Sequence, residues 1–319
     1  MPLALLIVFR HIGQKFCFED VYWRCFVNTI STIGVTSFFI ISGFLFFKKP
    51  ADEVRLKKQV LRILKLYICW SLIYSPVIIY RYLKAGIAFP QAIVDFIQKF
   101  LFSGSYYHLW YLPSLIVAIY IVYILREKNS VLMAVTAALM IIGIITDTYQ
   151  WLLPQKIRKL YSIYSGVFLT SRNGLFMGSF LVAMGKIFAD YEEKLKNVHW
   201  WKIMLPFSAI ALFVEGLWIC GLKNSQVVNI AFSTVLVASL LVAQMIGSPQ
   251  MSASWQARSV STIMYLCHPW VLAIVELLGN KVIILKTEMK VVICVIATVL
   301  IALSVVLASK KIKILRVLM

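Results

Sequence analysis

The sequence predicts an all-α protein, a polytopic membrane helical bundle with about ten transmembrane helices and a shortened first helix. Of its 319 residues, 61% are hydrophobic and only 14% are charged, and the mean hydropathy is +0.86. Soluble domains carry about 25% charged and about 45–50% apolar residues. The composition excludes a soluble globule, a disordered tail and a disulfide-rich secreted fold. Because no long polar stretch divides the chain, residues 1–319 are predicted to form a single membrane domain.

Each predicted helix rests on the length of an apolar segment, since about 20 mostly apolar residues are needed to cross a bilayer. The qualifying segments are residues 30–47, 66–83, 109–125, 131–147, 166–188, 203–220, 226–246, 261–278 and 291–309. Residues 1–10 are also apolar, but at about 1.5 Å per residue they cannot span a core of about 30 Å. We interpret them as the second half of a tenth helix.

The distribution of basic residues predicts the orientation of the chain. The formal net charge is +19, and the basic residues gather in short loops, where they set topology and touch anionic lipid. This placement favours a bilayer over nucleic acid as the partner. An N-terminus inside the cell puts the two densest basic clusters, residues 48–65 and 310–316, in the cytoplasm. We therefore predict a multi-pass cell-membrane protein with both termini cytoplasmic.

The positions of the cysteines and the absence of several catalytic motifs limit the kinds of reaction expected of this sequence. Cys69, Cys220, Cys267 and Cys294 lie in apolar segments, where cysteine usually acts as a small hydrophobe. Cys17 and Cys25 share a polar loop, and their spacing leaves open whether they pair in an oxidising compartment. The sequence has no Walker loop, HExxH, GxSxG or His/Cys cluster with metal spacing. We expect no metal cofactor and no nucleotide hydrolysis.

Two histidines lie in apolar segments. His11 follows the run 3–9, and its imidazole can shuttle a proton or activate a hydroxyl for attack on a thioester. The alternative is an interfacial histidine that caps a helix end beside Arg10. His268 precedes Pro269, which has no N–H for the carbonyl of Tyr265. A kink residue bonded to that freed carbonyl is the alternative to a substrate-binding role for His268.

A basic stripe follows the second predicted helix. Arg55, Lys58, Arg62 and Lys65 are spaced i, i+3, i+7 and i+10, which puts them on one helical face. Such a stripe at a cytoplasmic entrance can hold several phosphate groups. Topogenic charges lying on anionic headgroups are the alternative.

Two more ionisable residues lie at membrane depth. Arg172 begins an apolar segment from the outside, and its guanidinium suits a carboxylate or an oxyanion. It also precedes a Gly174-x-x-x-Gly178 pair that permits close helix approach. Glu215 lies about 20 Å along the seventh predicted helix, where a carboxylate is protonated or paired. The alternatives are an arginine that snorkels to outer headgroups and a glutamate that reaches water at the outer interface.

Several short motifs, in this order along the chain, resemble the acyltransferase 3 family of integral membrane acyltransferases. The strongest is the run from Gly34 to Gly43 with its aromatic pair and Ser-Gly end, followed by Phe-Leu-Phe-Phe-Lys-Lys. The others are Arg62 before Tyr67 and Trp70, His108-Leu-Trp-Tyr-Leu, Arg172-Asn-Gly-Leu-Phe with Gly185, and Met264-Tyr-Leu-Cys-His268-Pro269. Together they cover nearly the whole chain.

This resemblance implies a ten-helix bundle that passes an acyl group, expected to be acetyl, from cytoplasmic acyl-CoA to an outside acceptor. The acceptors it implies are sugar hydroxyls of bacterial surface polysaccharide, peptidoglycan or lipid-linked glycan. His11 falls where the family has its first-helix histidine and would be the general base or acyl relay. The family arginine about eleven residues earlier would precede Met1. The same resemblance makes the basic stripe a contact for the CoA phosphates, and Arg172, Glu215 and His268 acceptor-side residues.

The membrane portion of vancomycin-resistance serine racemases has a similar pattern, which implies a different function. It includes His-Leu-Trp and Arg-Asn-Gly-Leu-Phe, and it implies uptake of a small amino acid such as serine. In that case Arg172 and Glu215 would bind its carboxylate and ammonium groups. An acyltransferase needs a phosphate-binding cytoplasmic mouth, whereas a transporter needs alternating access and no affinity for CoA. The basic stripe favours the acyltransferase.

Overall fold

The computed structural model describes residues 1–16, 21–197, 200–223, 229–248, 255–281 and 286–319. These residues are mostly helical and include no strand, which confirms the predicted all-α class. The helices are α1 (Pro2–Phe16), α2 (Val21–Phe47), α3 (Glu53–Lys84), α4 (Phe89–Phe102), α5 (Tyr111–Leu125), α6 (Asn129–Asp147), α7 (Gln155–Phe168), α8 (Ser179–Asp190), α9 (Glu192–Asn197), α10 (Trp200–Lys223), α11 (Phe232–Gly247), α12 (Trp255–Lys281) and α13 (Thr287–Ala308). A π-helix, Gly174–Gly178, precedes α8.

The long apolar helices fit a polytopic membrane bundle. Within the part of the chain that the structure describes, the helices long and apolar enough to cross a membrane are Thr29–Phe47, Glu53–Lys84, Asn129–Asp147, Trp200–Gly221, Gln256–Leu278 and Glu288–Ala308. Shorter apolar helices cover Pro2–Gly13, Tyr111–Leu125 and Phe232–Gly247. The first helix is short, as the sequence predicted. Many large apolar side chains on these helices are exposed on the protein surface, as expected where lipid is the solvent.

The structure departs from the predicted helices in two places. The predicted span 166–188 is not one helix, because the chain breaks after α7 at Leu169, which has φ 65°. It resumes at the π-helix and α8. The chain also forms α4, α7 and the six-residue α9, none of which the sequence predicted. In α4 and α7, which have 14 residues each, no residue is buried. Each is too short and too polar on one face to satisfy a search for spanning segments.

The helices form two compact units, each with its own core. The first unit comprises residues 1–38 and 194–319. In it, α12 packs against α13 and α1, and α10 packs against α11. One of its apolar clusters is formed by Val8, Ile12, Val271, Leu272, Val275 and Cys294. The second unit comprises residues 39–193. The single membrane domain stays a prediction.

The second unit depends on close contact between α2 and α8. A Cβ at Gly185 would collide with the carbonyl oxygen of Ile40 and lie 2.6 Å from the nitrogen of Phe44. A Cβ at Gly43 would likewise collide with the carbonyl oxygen of Val182. Both glycines thus let two backbones approach more closely than any side chain allows. This explains the glycine that ends the Ser-Gly motif in α2.

One cysteine, Cys220, differs from the prediction made from the sequence. Cys220 in α10 is disulfide-bonded rather than a small hydrophobe. Cys69, Cys267 and Cys294 are free thiols. Cys17 and the side chain of Cys25 lie outside the described residues.

Candidate functional site

The first unit brings His11 and His268 together, although 257 positions separate them in the sequence. Their rings are stacked, with centroids 5.0 Å apart and an interplanar angle of 19°. His268 is fully buried, and His11 is partly exposed. The contact forms because α1 packs along α12. Neither histidine has a neighbouring motif that points to the other, so sequence reasoning found both residues but not the pair.

The stacked pair is held in place by a backbone carbonyl of α12. Nδ1 of His268 donates to the carbonyl oxygen of Tyr265 at 2.7 Å, with a second contact to that of Met264 at 3.3 Å. Since a carbonyl oxygen only accepts, Nδ1 carries a proton. This is the contact to the freed carbonyl that the kink interpretation of His268 predicted, and the substrate-binding role of His268 stays a prediction. The same bond fixes the plane of the ring against which His11 stacks.

Buried apolar residues neighbour both histidines along their helices. Val8 and Ile12 lie next to His11 on α1, while Val271 and Leu272 lie within one turn of His268 on α12. All four are buried. A reaction at the exposed side of His11 would therefore take place beside a packed apolar wall, where electrostatic interactions are stronger than in water.

A polar network occupies other positions of the first unit. Arg10 is buried, and its Nη2 donates to the amide oxygen of Asn229 at 3.3 Å. The hydroxyls of Thr32 and Thr234 lie 3.3 Å apart and link α2 to α11. These pairs satisfy polar groups that would otherwise be costly at membrane depth. Arg10 is also a cation that directly precedes His11 in the sequence.

Glu215 caps a helix. Its carboxylate accepts hydrogen bonds from the backbone N–H of Phe232 at 3.2 Å and of Ser233 at 2.8 Å, and another from the Ser233 hydroxyl. These N–H groups open α11, where a carboxylate satisfies donors and complements the helix dipole. This capping role was not predicted from the sequence. The proposed binding of substrate by Glu215 stays a prediction.

The predicted basic stripe lies along the start of α3, and the structure separates its first member from the rest. Arg55 is half-buried and donates through Nη1 to the carbonyl of Lys49 at 2.6 Å and through Nη2 to that of Leu45 at 3.2 Å. Arg55 therefore caps the end of α2. Lys58, Arg62 and Lys65 are exposed. They form the stripe that is open to a ligand.

Arg172 lies in the second unit, in the short segment between α7 and the π-helix. Asn173 caps that helix, because its side-chain oxygen accepts from the N–H of Leu175 at 3.0 Å and of Phe176 at 3.1 Å. A Cβ at Gly174 would collide with the carbonyl oxygen of Ser114, which shows the close helix approach expected there. The guanidinium of Arg172 lies 5.2 Å from the ring centre of Trp110, a cation–π contact.

Comparison with known protein families adds an assignment for almost the whole chain. The acyltransferase domain family, type 3, matches residues 3–308. This range includes both histidines, the basic stripe, Arg172 and Glu215. The match supports membrane acyltransferase activity.

The curated relatives that the chain matches are longer proteins. An amino-acid racemase of Enterococcus faecalis is 28% identical over 211 residues, which cover 64% of this chain and 29% of the relative. A serine/alanine racemase of Enterococcus gallinarum is 24% identical over 272 residues, covering 82% of this chain and 38% of the relative. The chain thus spans well under half of the relatives it matches. No solved structure gives a significant match.

Proposed function

The chain belongs to the acyltransferase 3 family of membrane acyltransferases. On this basis we propose that it moves an acyl group, proposed to be acetyl, from cytoplasmic acyl-CoA to an acceptor outside the membrane. The proposed acceptor is a hydroxyl of a cell-surface glycan or lipid-linked sugar. Acyl-CoA serves as a co-substrate.

The observation that carries this proposal is the stacking of His11 on His268. In the proposed reaction His11 takes the proton of the acceptor hydroxyl while the hydroxyl oxygen attacks the thioester carbonyl. The new C–O bond forms, the C–S bond breaks, and the CoA thiolate leaves and takes up the proton. His268 does not move a proton in this scheme. Anchored to Tyr265, it fixes the orientation of the His11 ring.

The proposed orientation, with both termini in the cytoplasm, is supported by Cys220. Disulfides form and persist in oxidising compartments outside the cytoplasm. Cys220 is disulfide-bonded and lies near the end of α10. With a cytoplasmic N-terminus that end of α10 faces outward, so the bond and the charge distribution agree on the orientation.

The donor site is proposed at the start of α3. Lys58, Arg62 and Lys65 are exposed on one face, and they belong to the dense basic cluster, residues 48–65, that the orientation places in the cytoplasm. Three cations at this spacing fit the phosphates of CoA, which carry several negative charges. Arg55 contributes by holding the end of α2 against the start of this helix.

The central test is acetyl-CoA consumption by purified protein in nanodiscs, with a soluble glycan acceptor pool. We expect His11→Ala to reduce turnover by about 100-fold or more, since general base catalysis contributes that much. Acetyl-CoA binding should stay within about twofold, because the proposed donor contacts lie on α3. Unchanged turnover in His11→Ala, or no acetyl-CoA binding by the native chain, would contradict the proposal.

A second candidate function is transport of a small amino acid such as serine. It is favoured by the similarity to an enterococcal serine/alanine racemase, of which this chain covers 38%. In this function Arg172 would bind the carboxylate of the amino acid. Serine uptake into proteoliposomes, without any affinity for acetyl-CoA, would support the transporter and exclude the acyltransferase.

A further inference from the structure

The segment between α4 and α5, residues 103–110, forms a tight turn fastened to α3. Gly104 has φ 87°, and a Cβ there would lie 2.7 Å from the Cα of Trp110. The N–H of Ser105 donates to the hydroxyl of Tyr67 at 2.9 Å, and the hydroxyls of Ser105 and Ser71 lie 2.7 Å apart. The turn is therefore held in one conformation and presents its side chains at fixed positions.

Aromatic rings surround His108 on this turn. The ring of Tyr74 lies 5.0 Å from that of His108, the ring of Tyr106 lies 5.7 Å away and that of Tyr107 lies 5.5 Å away, all edge to face. Tyr74 and Tyr106 stack on each other at 4.5 Å. Three of these four rings are buried, whereas Tyr107 is 42% exposed. The turn thus offers one accessible ring on a rigid aromatic base.

Two arginines lie against rings of the same turn. Arg81, in the last turn of α3, donates to the hydroxyl of Tyr106 at 2.9 Å and lies 4.8 Å from the centre of its ring. Arg172 lies 5.2 Å from the ring centre of Trp110. Among the residues that the structure describes, no acidic side chain forms an ion pair with Arg81. The charge of Arg81 is thus positioned but not neutralised by a protein carboxylate.

We propose that Arg81, Tyr107 and Arg172 form a binding site for an acidic carbohydrate acceptor. The exposed Tyr107 ring offers an apolar face for a sugar ring, as aromatic side chains do in ligand sites. The guanidiniums bind its anionic group, either the carboxylate of an acidic sugar or the phosphate that joins a sugar to a lipid. The proposal rests on the proposed acyltransferase function and adds the chemical class of its acceptor. Arg81 and Tyr107 were not among the residues singled out from the sequence.

Arg81→Gln tests the site, because it removes the charge from an exposed residue and keeps most of its stem. Arg158→Gln on α7 is the matched control, since Arg158 is also exposed and belongs to the same unit. Binding to protein in nanodiscs is measured with trigalacturonate, with neutral galactotriose and with glucose 1-phosphate. Loss of a charge-assisted contact should weaken trigalacturonate binding at least about tenfold in Arg81→Gln. The control should change it less than about twofold.

The probes separate the sources of the anionic group. Stronger binding of trigalacturonate than of glucose 1-phosphate identifies a sugar carboxylate, and the reverse order identifies a sugar phosphate. Both results support the site when they depend on Arg81. Equal affinities of Arg81→Gln and Arg158→Gln for every probe would overturn it, as would binding of serine alone.

The site and the proposed function fail in different ways. If the native chain binds trigalacturonate through Arg81 but never consumes acetyl-CoA, the site stands and the acyltransferase proposal fails. If the chain transfers acetyl groups and Arg81→Gln leaves the KM for the acidic acceptor unchanged, the function stands and the site fails. His11→Ala should retain acceptor binding while losing transfer, since His11 acts on the reaction and not on the affinity.

Discussion

Nδ1 of His268 donates a 2.7 Å hydrogen bond to the carbonyl oxygen of Tyr265, in place of the N–H that Pro269 cannot supply. A helix interrupted by proline leaves a carbonyl without its usual donor. Here the side chain that satisfies it is also the ring on which His11 stacks. This one hydrogen bond therefore satisfies the free carbonyl of α12. It also orients the ring on which His11, the proposed base, stacks.

The two roles of His268 can be separated by mutation. His268→Ala should lower the stability by about 1–3 kcal/mol, because it leaves the carbonyl of Tyr265 unsatisfied. It should also lower turnover. In the double variant His268→Ala/Pro269→Ala, the new N–H at position 269 can donate to Tyr265. We expect the midpoint of thermal unfolding in detergent to recover while turnover stays low. Turnover that recovers together with stability would show that His268 is only a structural residue.

Glu215 is predicted to stabilise α11 through its cap. Glu215→Ala removes the acceptor for the N–H groups of Phe232 and Ser233 and should cost about 1–2 kcal/mol. Glu215→Gln keeps one acceptor oxygen and should cost less. Thermal unfolding and acetyl transfer are measured on both. If Glu215→Gln unfolds normally but loses transfer, the carboxylate has a substrate role beyond the cap.

Gly185 is predicted to tolerate no side chain. In Gly185→Ala the new methyl group meets backbone atoms of α2, which cannot move aside as a flexible side chain can. We expect a loss of about 1–3 kcal/mol, measured as a lower midpoint of thermal unfolding.

Gly166 provides the matched control for that substitution. It lies in α7, and a Cβ there would meet no atom within 4 Å. Gly166→Ala should be neutral or stabilising by up to about 1 kcal/mol, because alanine is the better helix former. Equal effects of the two substitutions would contradict the close packing of α2 on α8.

The basic stripe is predicted to bind CoA phosphates. The triple variant Lys58→Gln, Arg62→Gln and Lys65→Gln should raise the KM for acetyl-CoA by about tenfold or more with little change in stability, since all three side chains are exposed. Lys57→Gln is the control, because Lys57 is also exposed but lies on another face of α3. An unchanged KM for acetyl-CoA in the triple variant would show that these basic residues serve only to set the membrane topology.

Much of the fold follows from local properties of the sequence. Apolar length is a property of each segment, and it located the helices from α1 to α13 that are long or apolar enough to be recognised. It did not locate α4 and α7, because an amphipathic helix of 14 residues gives no signal in a search for spanning segments. The break at Leu169 was also missed, since a positive φ in a non-glycine residue has no local signature.

The sequence by itself determined the membrane class, the family resemblance and the identity of the residues suited to proton transfer or anion binding, because these depend on composition and short motifs. It also determined the carbonyl that Pro269 leaves to His268, since that relation lies within a single helical turn. Only the tertiary structure decided that His11 stacks on His268, that Glu215 caps α11 and that Arg81 lies on Tyr106. Those contacts join distant positions, and they arise from how the helices pack, which no local pattern encodes.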